Sequence, residues 1–313
     1  GSRFISIITN AASNVSVGGA ILVEPNFSST STGFHITNCQ FIGNSAKRAG
    51  GGAAIGFGSI DGTVTVSGST FSDNTSNDNH GGGIYFGEGI LFVKSSTISN
   101  NKGVQVNTSA PNGGGIFVEN QVSAPVRQLN VINSTISGND SGGNVIGGIS
   151  NAWGTLNITN STVLGGVETG DSTVSVKSSI LDHIRRFSTS PISSGGFNLI
   201  GDSHGTAGLT NGVNNDRVGS SASPLDPKLQ PPANNGGPTQ THALRTDSPA
   251  IDKGTSNGLN GVLTTDQRDV GFARTIDNST VSNAAGGDGT DSGCFELNPS
   301  AATPTPTPTP TPT

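Results

Sequence analysis

Residues 91–101 read Leu-Phe-Val-Lys-Ser-Ser-Thr-Ile-Ser-Asn-Asn, and the spacing of their apolar residues decides the fold. Leu91 and Val93 are two positions apart, and Ile98 follows five positions later. A step of two predicts a strand with one buried face, because side chains alternate across a pleated strand. A step of five brings Ile98 to the same side only if the chain bends between the two strands, and the bend is predicted at the turn-forming Ser95.

The same apolar template recurs through the first 181 residues, which indicates a repeat protein. Because each copy carries one buried face, no single copy forms a core alone. The copies are Phe34/Ile36/Phe41, Val64/Val66/Phe71, Leu129/Val131/Ile136, Leu156/Ile158/Val163 and Val174/Val176/Leu181, with a weaker copy at Ile5/Ile7/Ala12.

Paired glycines interleave with the apolar template at intervals of 31 to 33 residues and predict the start of a third short strand in each period. Glycine fits where the backbone takes positive φ or packs closely against another layer. Stacking such three-stranded turns predicts an all-β fold, a right-handed parallel β-helix over residues 3–181, with a length of roughly 34 Å for seven turns. The pairs are Gly18-Gly19, Gly51-Gly52, Gly82-Gly83, Gly114-Gly115 and Gly147-Gly148.

Stacking also places equivalent side chains in files along the rod. The file two residues before the third apolar position is predicted to point inward, which makes its first member, Cys39, a buried structural residue. The file three residues after that position is predicted to bond from turn to turn through its amides. The first file is Cys39, Ser69, Ser96, Ser134, Ser161 and Ser179, and the second is Asn44, Asn74, Asn101 and Asn139.

Composition excludes several other classes of protein. The chain has 313 residues, 47 of them glycine, and its richness in turn-forming residues argues against helical bundles. The net charge is −6 and no basic run occurs, so we expect no nucleic-acid partner. No apolar run reaches the roughly 18 residues of a spanning helix. Cys39 and Cys294 are too far apart in sequence to predict a disulfide framework or a metal site, and no metal or cofactor is expected.

The periodicity fails after Leu181, where glycine, proline and polar residues dominate. Residues 182–298 are therefore predicted to form a loop-rich C-terminal cap on the rod, because the last turn of a stack needs cover. Residues 299–313 are predicted to be a disordered linker, since 304–312 alternate proline with threonine and offer no apolar content to fold.

Three segments resemble the GGAI and FxxN motifs of polymorphic outer-membrane protein repeats. They are Gly18-Gly19-Ala20-Ile21, Phe41-Ile42-Gly43-Asn44 and Phe71-Ser72-Asp73-Asn74, and later copies drift to Ile-Ser-x-Asn. The resemblance implies a right-handed β-helix displayed on a bacterial cell surface, often in adhesion.

The C-terminal third resembles the choice-of-anchor Q domain, a module at the C-terminal end of bacterial β-helix surface proteins. Asp269-Val270 departs from the glycine usual after Gln-Arg, and Ser292 and Cys294 replace the usual Ile and Ala, which bears on local packing only. The resemblance implies an anchor beyond Thr313. The matching segments are 235–244, Ser248-Pro249-Ala250-Ile251-Asp252, Asp266-Gln267-Arg268, Arg274 and Asp291-Ser292-Gly293-Cys294-Phe295-Glu296.

Few residues have the chemistry of a site. Glu88 and Glu119 each follow a triple-glycine strand, so adjacent turns of the rod place them near each other, and Asp78 and His80 lie in the preceding loop. Paired carboxylates of this kind contact glycans or ions, or catalyse glycosidic cleavage. The alternative is that these are exposed, solubilising charges.

Two further clusters each have a structural and a functional interpretation. His183, Arg185 and Arg186 supply the basic group of a lyase, or form salt bridges with Asp182 and Asp202. The second cluster lies near Gly286-Gly287. Its carboxylates are interpreted either as calcium ligands or as turn residues, since their spacing fits no EF-hand loop. This second group is Asp288, Asp291 and Glu296.

The sequence thus predicts a secreted or surface-displayed bacterial protein with a non-enzymatic, structural or adhesin-like role, presenting loops from a β-helix rod. Its expected partners are surface glycans or host and cell-surface proteins. The alternative is a carbohydrate-active protein, either a glycan-binding module or a lyase-like or glycosidase-like β-helix enzyme. Trp153 and Tyr85 are the aromatic residues expected outside, where they stack on sugars.

Overall fold

The fold was taken from a computed structural model, which describes residues 2–5, 8–9, 19–23, 33–46, 54–57, 62–77, 81–103, 113–118, 127–142, 146–188 and 191–300. Within these ranges a 20-stranded sheet is wound into a stack in which each strand pairs in parallel with its equivalent one turn away. The predicted all-β parallel β-helix is confirmed.

Each turn contributes three strands, which we name faces 1, 2 and 3 in chain order, and some turns add a short fourth strand that the sequence did not predict. In the last turns, faces 1 and 2 merge into the two long strands Ile149–Thr159 and Val167–Lys177. The remaining strands of face 1 are Ile21–Val23, Ile55–Phe57, Ile84–Phe86 and Ile116–Val118. Those of face 2 are Phe34–Thr37, Thr63–Ser67, Gly89–Lys94, Arg127–Ile132 and Ser193–Gly196.

Face 3 carries the segments that follow the predicted bend. Its strands are Arg3–Ile5, Gln40–Ile42, Thr70–Ser72, Thr97–Ser99, Thr135–Ser137, Thr162–Val163, Ile180–Arg186, Leu199–Asp202 and Arg217–Val218. The last three residues of Ile180–Arg186 continue onto face 1, where they pair with the start of Val167–Lys177. The short fourth strands are Ile8–Thr9, Ser45–Ala46, Thr75–Ser76 and Lys102–Gly103.

The bend between faces 2 and 3 explains the step of five. Ser95, Asn133 and Asn160 occupy equivalent positions there with φ of 44°, 51° and 45°, in the left-handed region. Asparagine tolerates this region better than most residues, and the reversal re-phases the side chains so that Val93 and Ile98 both point inward. Both side chains are completely buried.

The core is a continuous apolar column, to which each turn adds buried apolar residues from its three faces, for example Ile84, Leu91 and Ile98. Phe41 and Phe71 stack with ring centroids 4.7 Å apart, as expected for two inward-facing residues. Burying one such large apolar side chain contributes roughly 1.5–3 kcal/mol, so the repetition of the rung supplies most of the stability of the rod.

The two predicted polar files both form hydrogen-bonded ladders. In the serine ladder the backbone N–H of each member donates to the hydroxyl of the next, for example Ser69 to Ser96 at 3.1 Å. In the asparagine ladder the side-chain amide of Asn74 donates to Oδ1 of Asn101 at 2.7 Å. Cys39, the first described rung of the serine ladder, is half-buried where the sequence predicted full burial, and both cysteines are free thiols.

The rod continues beyond the boundary predicted at residue 181. Leu199 pairs in parallel with Ile180 and then with Arg217, which adds two turns on face 3. The serine ladder continues with other residue types, since the Ser179 N–H donates to Oδ1 of Asn198 and the Asn198 N–H donates to Oδ1 of Asp216, both at 3.1 Å.

The loop-rich C-terminal module lies along the outer side of face 3. It contains two antiparallel hairpins, Leu229–Ala233 with Thr241–Leu244 and Asn257–Gly258 with Gly261–Val262. A 3-10 turn, Val213–Asn215, belongs to the last turn of the rod and lies against strand Ser193–Gly196. A second apolar cluster joins the module to the rod. Its buried members are Ile180, Leu199, Ala243, Leu244, Ala250, Ile251 and Phe295.

Candidate functional site

The structure tests only one member of the predicted carboxylate group. Glu88 lies at the corner where face 1 passes into face 2, immediately before strand Gly89–Lys94, and is half-exposed. Glu119, Asp78 and His80 lie outside the described residues, so the predicted pairing of Glu88 with Glu119 remains a prediction.

Glu88 belongs instead to a file that the register of the strands defines. Gly89 pairs with Arg127, which lies opposite Gly154 on the next turn, so Glu88 and Trp153 occupy equivalent positions two turns apart. Gly89 and Gly154 share positive φ values of 101° and 91°, which marks the same corner.

The next turn adds a second acid to this corner, because Trp153 pairs directly with Asp171. Trp153 is half-exposed and Asp171 is exposed. With strands about 4.8 Å apart, the three residues extend over about 14 Å along the rod. We call Glu88, Trp153 and Asp171 the corner file.

The second surface cluster lies at the end of the rod. Asp182 accepts hydrogen bonds from the backbone nitrogens of Gly165 at 2.6 Å and Gly166 at 3.0 Å, and it pairs with His183 at 3.2 Å. His183 and Asp182 are thus in contact as predicted, and the Asp182 carboxylate connects two adjacent turns of the rod through its hydrogen bonds to Gly165 and Gly166.

A serine, a histidine and an aspartate also meet there, but not in the geometry of a nucleophilic triad. Ser221 Oγ is 3.3 Å from Nδ1 of His204, and Oδ2 of Asp202 is 3.4 Å from the opposite ring nitrogen, Nε2. A relay needs serine and carboxylate on opposite sides of the imidazole, because its two nitrogens point away from each other. Here Ser221 Oγ donates directly to Asp202 Oδ2 at 2.7 Å, so both oxygens lie on one side.

The hydrogen bonds of Asp202 show a structural role. Burial alone raises the pKa of this carboxyl, but donation by the His204 N–H and the Ser221 hydroxyl, together with the neighbouring imidazoles, lowers the pKa overall. A carboxylate held ionised in this way stabilises the turn and does not act as a general acid at neutral pH.

The predicted arginines of this cluster make other contacts. Arg185 lies over the ring of Phe187 at 4.6 Å and pairs by register with Glu168, whose pKa burial raises and Arg185 partly lowers. Arg186 donates to the carbonyl of Ser172 and to the hydroxyl of Ser188. These contacts favour the structural interpretation of the cluster over a lyase base.

Two carboxyls suggested as calcium ligands are buried inside the C-terminal module. Glu296 accepts hydrogen bonds from the backbone nitrogens of Ile276 at 2.9 Å and Asp291 at 3.1 Å. Burial and the adjacent Asp291 raise the pKa of Glu296 to about 9, and burial raises the pKa of Asp291 to about 7. A protonated carboxyl is a poor calcium ligand, and Arg274 lies beside both groups.

The third suggested calcium ligand, Asp288, caps backbone and hydroxyl groups of Ser256 at 2.9 and 2.6 Å. Asp288 is therefore a turn residue, as the structural interpretation of this group predicted. Over the described ranges of the chain, no group of three or more histidine, cysteine, aspartate or glutamate side chains is arranged to hold a metal ion.

The buried carboxyls make the module sensitive to alkali. Because the folded pKa of Glu296 lies above the value of an unfolded glutamate, its contribution to stability is complete below about pH 4.5 and is lost as the pH rises toward 9. We expect the free energy of unfolding, measured by urea titration with circular dichroism, to fall between about pH 5 and pH 9.

Glu296→Gln should flatten this decline, at a cost of about 1 kcal/mol at low pH for the one accepted hydrogen bond that an amide cannot replace. The matched substitution Glu88→Gln, on the half-exposed corner of the rod, should keep the decline of the unmodified protein. An equally steep decline in Glu296→Gln would show that this carboxyl does not govern the pH dependence.

The segment Asp266-Gln267-Arg268, quoted above for its family resemblance, attaches the module to the rod. The Gln267 amide donates to the Thr97 hydroxyl at 2.9 Å and accepts from the Thr135 hydroxyl at 2.7 Å, so it bridges two turns of face 3. Cys294 continues the contact by bonding to Thr162 on the next turn at 3.3 Å. Sequence reasoning missed this role.

Arg268 holds the centre of the module. It forms a buried ion pair with Asp266 at 2.6 Å and lies over the rings of Phe272 at 4.1 Å and Phe295 at 3.9 Å. Cation–π contacts of this kind stabilise most when they are desolvated, as here. This arginine is therefore a packing residue, and its charge is not available to a ligand.

A cavity of about 730 Å³ lies between the first hairpin and the end of the module. Its lining includes Pro231, Pro232 and Leu297. Its charged residues are Arg245, Asp247 and Arg268; Arg245 pairs with Asp247 at 3.3 Å, and Arg268 is paired with Asp266. Its lining therefore lacks the pair of separated acid and base groups that hydrolytic chemistry needs.

Comparison with known proteins adds no relative: no family model, curated protein or solved structure matches the chain. A search of the described residues found no helix with the length and apolar character needed to cross a membrane.

Proposed function

We propose that the chain is a secreted or surface-displayed bacterial protein with a structural or adhesive role, in which the rod presents loops and does not catalyse a reaction. The supporting observation is that turns of very different length give the same ladder. Successive rungs are separated by 38 residues between Ser96 and Ser134 but by only 18 between Ser161 and Ser179.

The hydrogen bonds of the serine ladder are the same in the long turn and in the short one. The N–H to hydroxyl distance is 3.2 Å in both rungs. Most of the additional residues of the longest turn fall in segments 104–112 and 119–126, which connect consecutive strands. A scaffold that tolerates such insertions without a change of register is suited to carrying variable recognition segments.

The acidic side chains that could take part in catalysis support the same proposal, because most of them have a structural partner. Asp182 and Asp202 are engaged by backbone donors, the carboxyls of Asp291 and Glu296 are buried beside Arg274, and Asp266 is paired with Arg268. Each of these carboxyl groups therefore stabilises the folded structure.

The first test is an insertion. A short epitope tag placed within 104–112 should leave the circular dichroism spectrum unchanged, shift the melting temperature by only a few degrees and bind its antibody on the folded protein. The same tag placed within strand Thr97–Ser99 should prevent folding. Loss of the fold with the tag in 104–112 would contradict the display role.

The second test addresses the enzymatic alternative. Polysaccharides incubated with the purified chain should yield neither new reducing ends nor unsaturated products. Turnover that disappears in Glu88→Gln would overturn the non-enzymatic proposal and favour a lyase-like or glycosidase-like enzyme.

A further inference from the structure

The corner file combines an indole with two carboxylates on one accessible edge of the rod. Trp153 is the only tryptophan of the chain. It is half-exposed although it carries the largest apolar surface of any side chain, and the residue that pairs with it on the next turn, Asp171, is exposed. A tryptophan that is only partly buried beside hydrogen-bonding groups is typical of surfaces that bind polar ligands with one apolar side.

A row of polar side chains runs beside the corner file, two residues further along face 2. Gln128 pairs with Thr155, and Thr155 pairs with Thr173, so an amide and two hydroxyls follow one another on successive turns. All three are at least partly exposed. The Gln128 amide is held in place because its Nε2 donates to Oδ1 of Asn130 at 3.0 Å.

The spacing of these groups fits a chain of sugars. Successive rungs are about 4.8 Å apart, close to the length of one pyranose unit in an extended polysaccharide, so equivalent groups meet successive sugars. An indole face stacks on the apolar face of a pyranose, and carboxylates accept hydrogen bonds from its hydroxyls.

The charge of the surface selects among sugars. The corner file carries two acids, Glu88 and Asp171, and one cation lies beside it, because Arg186 donates to the carbonyl of Ser172 and interacts with the charge of Asp171. The two acids outnumber this cation, so the strip is negatively charged overall and repels a polymer of uronic acids. A neutral hexose chain carries only hydroxyl donors and acceptors and meets no such repulsion.

We propose that the corner file, with the row Gln128, Thr155 and Thr173, is a binding strip for an extended neutral hexose polysaccharide, with Trp153 as the stacking platform. The strip spans about 14 Å and so takes about three sugar units. This binding does not depend on loop display, because all six residues belong to the rod.

Tryptophan fluorescence gives a direct test, since the emission reports on Trp153 alone. Titration of the full chain with neutral hexose hexasaccharides should change the emission in a saturable way at millimolar concentration or below, and an oligogalacturonate of equal length should not change it. Absence of any change, confirmed by calorimetry, would overturn the proposal, and so would a response to the oligogalacturonate alone.

Variants locate the site. Asp171→Asn should weaken binding about tenfold, as for one charge-assisted hydrogen bond, and Trp153→Ala, followed by calorimetry, should weaken it about tenfold or more. Asp140→Asn removes an exposed acid from another flank, where it pairs with Lys102 at 3.5 Å, and should bind normally. Unchanged affinity in both Trp153→Ala and Asp171→Asn would place any glycan binding elsewhere. The display role is tested by the epitope insertion in 104–112 and the glycan strip by ligand binding, so either proposal can fail while the other holds.

Discussion

Replacing Asn101 by leucine should lower the free energy of unfolding by about 3–5 kcal/mol, because it leaves several buried groups without partners. Oδ1 of Asn101 accepts from the backbone and side-chain nitrogens of Asn74 at 3.1 and 2.7 Å. Its side-chain nitrogen donates to Oδ1 of Asn139 and to the carbonyl of Phe71, both at 2.9 Å. Leucine has a similar shape and fulfils none of these contacts.

The size of the effect follows from the interruption of a continuous ladder. Asn74 loses the acceptor for two donors, and Asn139 and Phe71 each lose a donor, all in a region that water does not reach. Each unsatisfied buried group costs about 1–3 kcal/mol. Urea unfolding followed by far-ultraviolet circular dichroism measures the sum.

Asn157→Leu is the matched control, since it changes the same residue type on the outer side of face 2. The Asn157 amide donates to Oδ1 of the buried Asn130 at 2.9 Å, but this oxygen keeps a second hydrogen bond from the Gln128 amide at 3.0 Å, so no buried group loses its last partner. The expected cost is within about 1 kcal/mol. Equal effects of the two substitutions would mean that the inner ladder contributes no more than a surface bond.

The sequence predicted the rod well because its information is local and repeated. The step of two and the step of five follow from the pleat and the left-handed bend, so Leu91, Val93 and Ile98 specify their burial without knowledge of distant residues. The asparagine ladder was predicted residue by residue, since every rung stands at the same distance from an apolar neighbour.

Prediction failed where the same position changes its residue type. The last turns keep the ladder but replace serine with Asn198 and Asp216, so a search for serines ends at Ser179. Replacing serine by Asp216 places a carboxyl group in a buried position. Burial disfavours its charged form and raises its pKa, even though Ser194 and Asn198 donate hydrogen bonds to it. The strands therefore continue to stack in parallel in turns where the sequence no longer shows the repeat.

The contacts of the C-terminal module were unpredictable for a different reason. Gln267 bonds to Thr97, 170 residues earlier, and no periodic signal connects the two positions. The sequence contains only a weak indication of the corner file, which is that Glu88 and Trp153 each precede a glycine at the start of a face 2 segment. Only the strand register shows that these two glycines occupy the same corner.

Gly114→Ala should destabilise the rod by about 3 kcal/mol or more, because the added methyl group has no space. A Cβ atom at this position would lie 2.6 Å from both the backbone nitrogen and the carbonyl carbon of Asp140, and closer still to its oxygen. Gly82 meets Lys102 in the same way one turn earlier, at 2.5 Å from its nitrogen. Neither glycine has a positive φ, so Gly82 and Gly114 serve close backbone packing and not a left-handed turn.

Gly103→Ala is the control and should shift stability in the opposite direction. Gly103 follows Lys102 in a short fourth strand and faces the same glycine corner, yet a Cβ atom there would be 3.5 Å from its nearest neighbour, an ordinary contact. Alanine in a compatible conformation stabilises by about 0.4–1 kcal/mol, because it restricts the unfolded chain. Backbone atoms cannot move aside as a flexible side chain does, so the clash at Gly114 has to displace a strand and with it the rung from Asn101 to Asn139. A Gly114→Ala variant as stable as Gly103→Ala would show that the glycines before face 1 are not packed backbone to backbone against Lys102 and Asp140, and the spacing of the paired glycines would then need another physical cause.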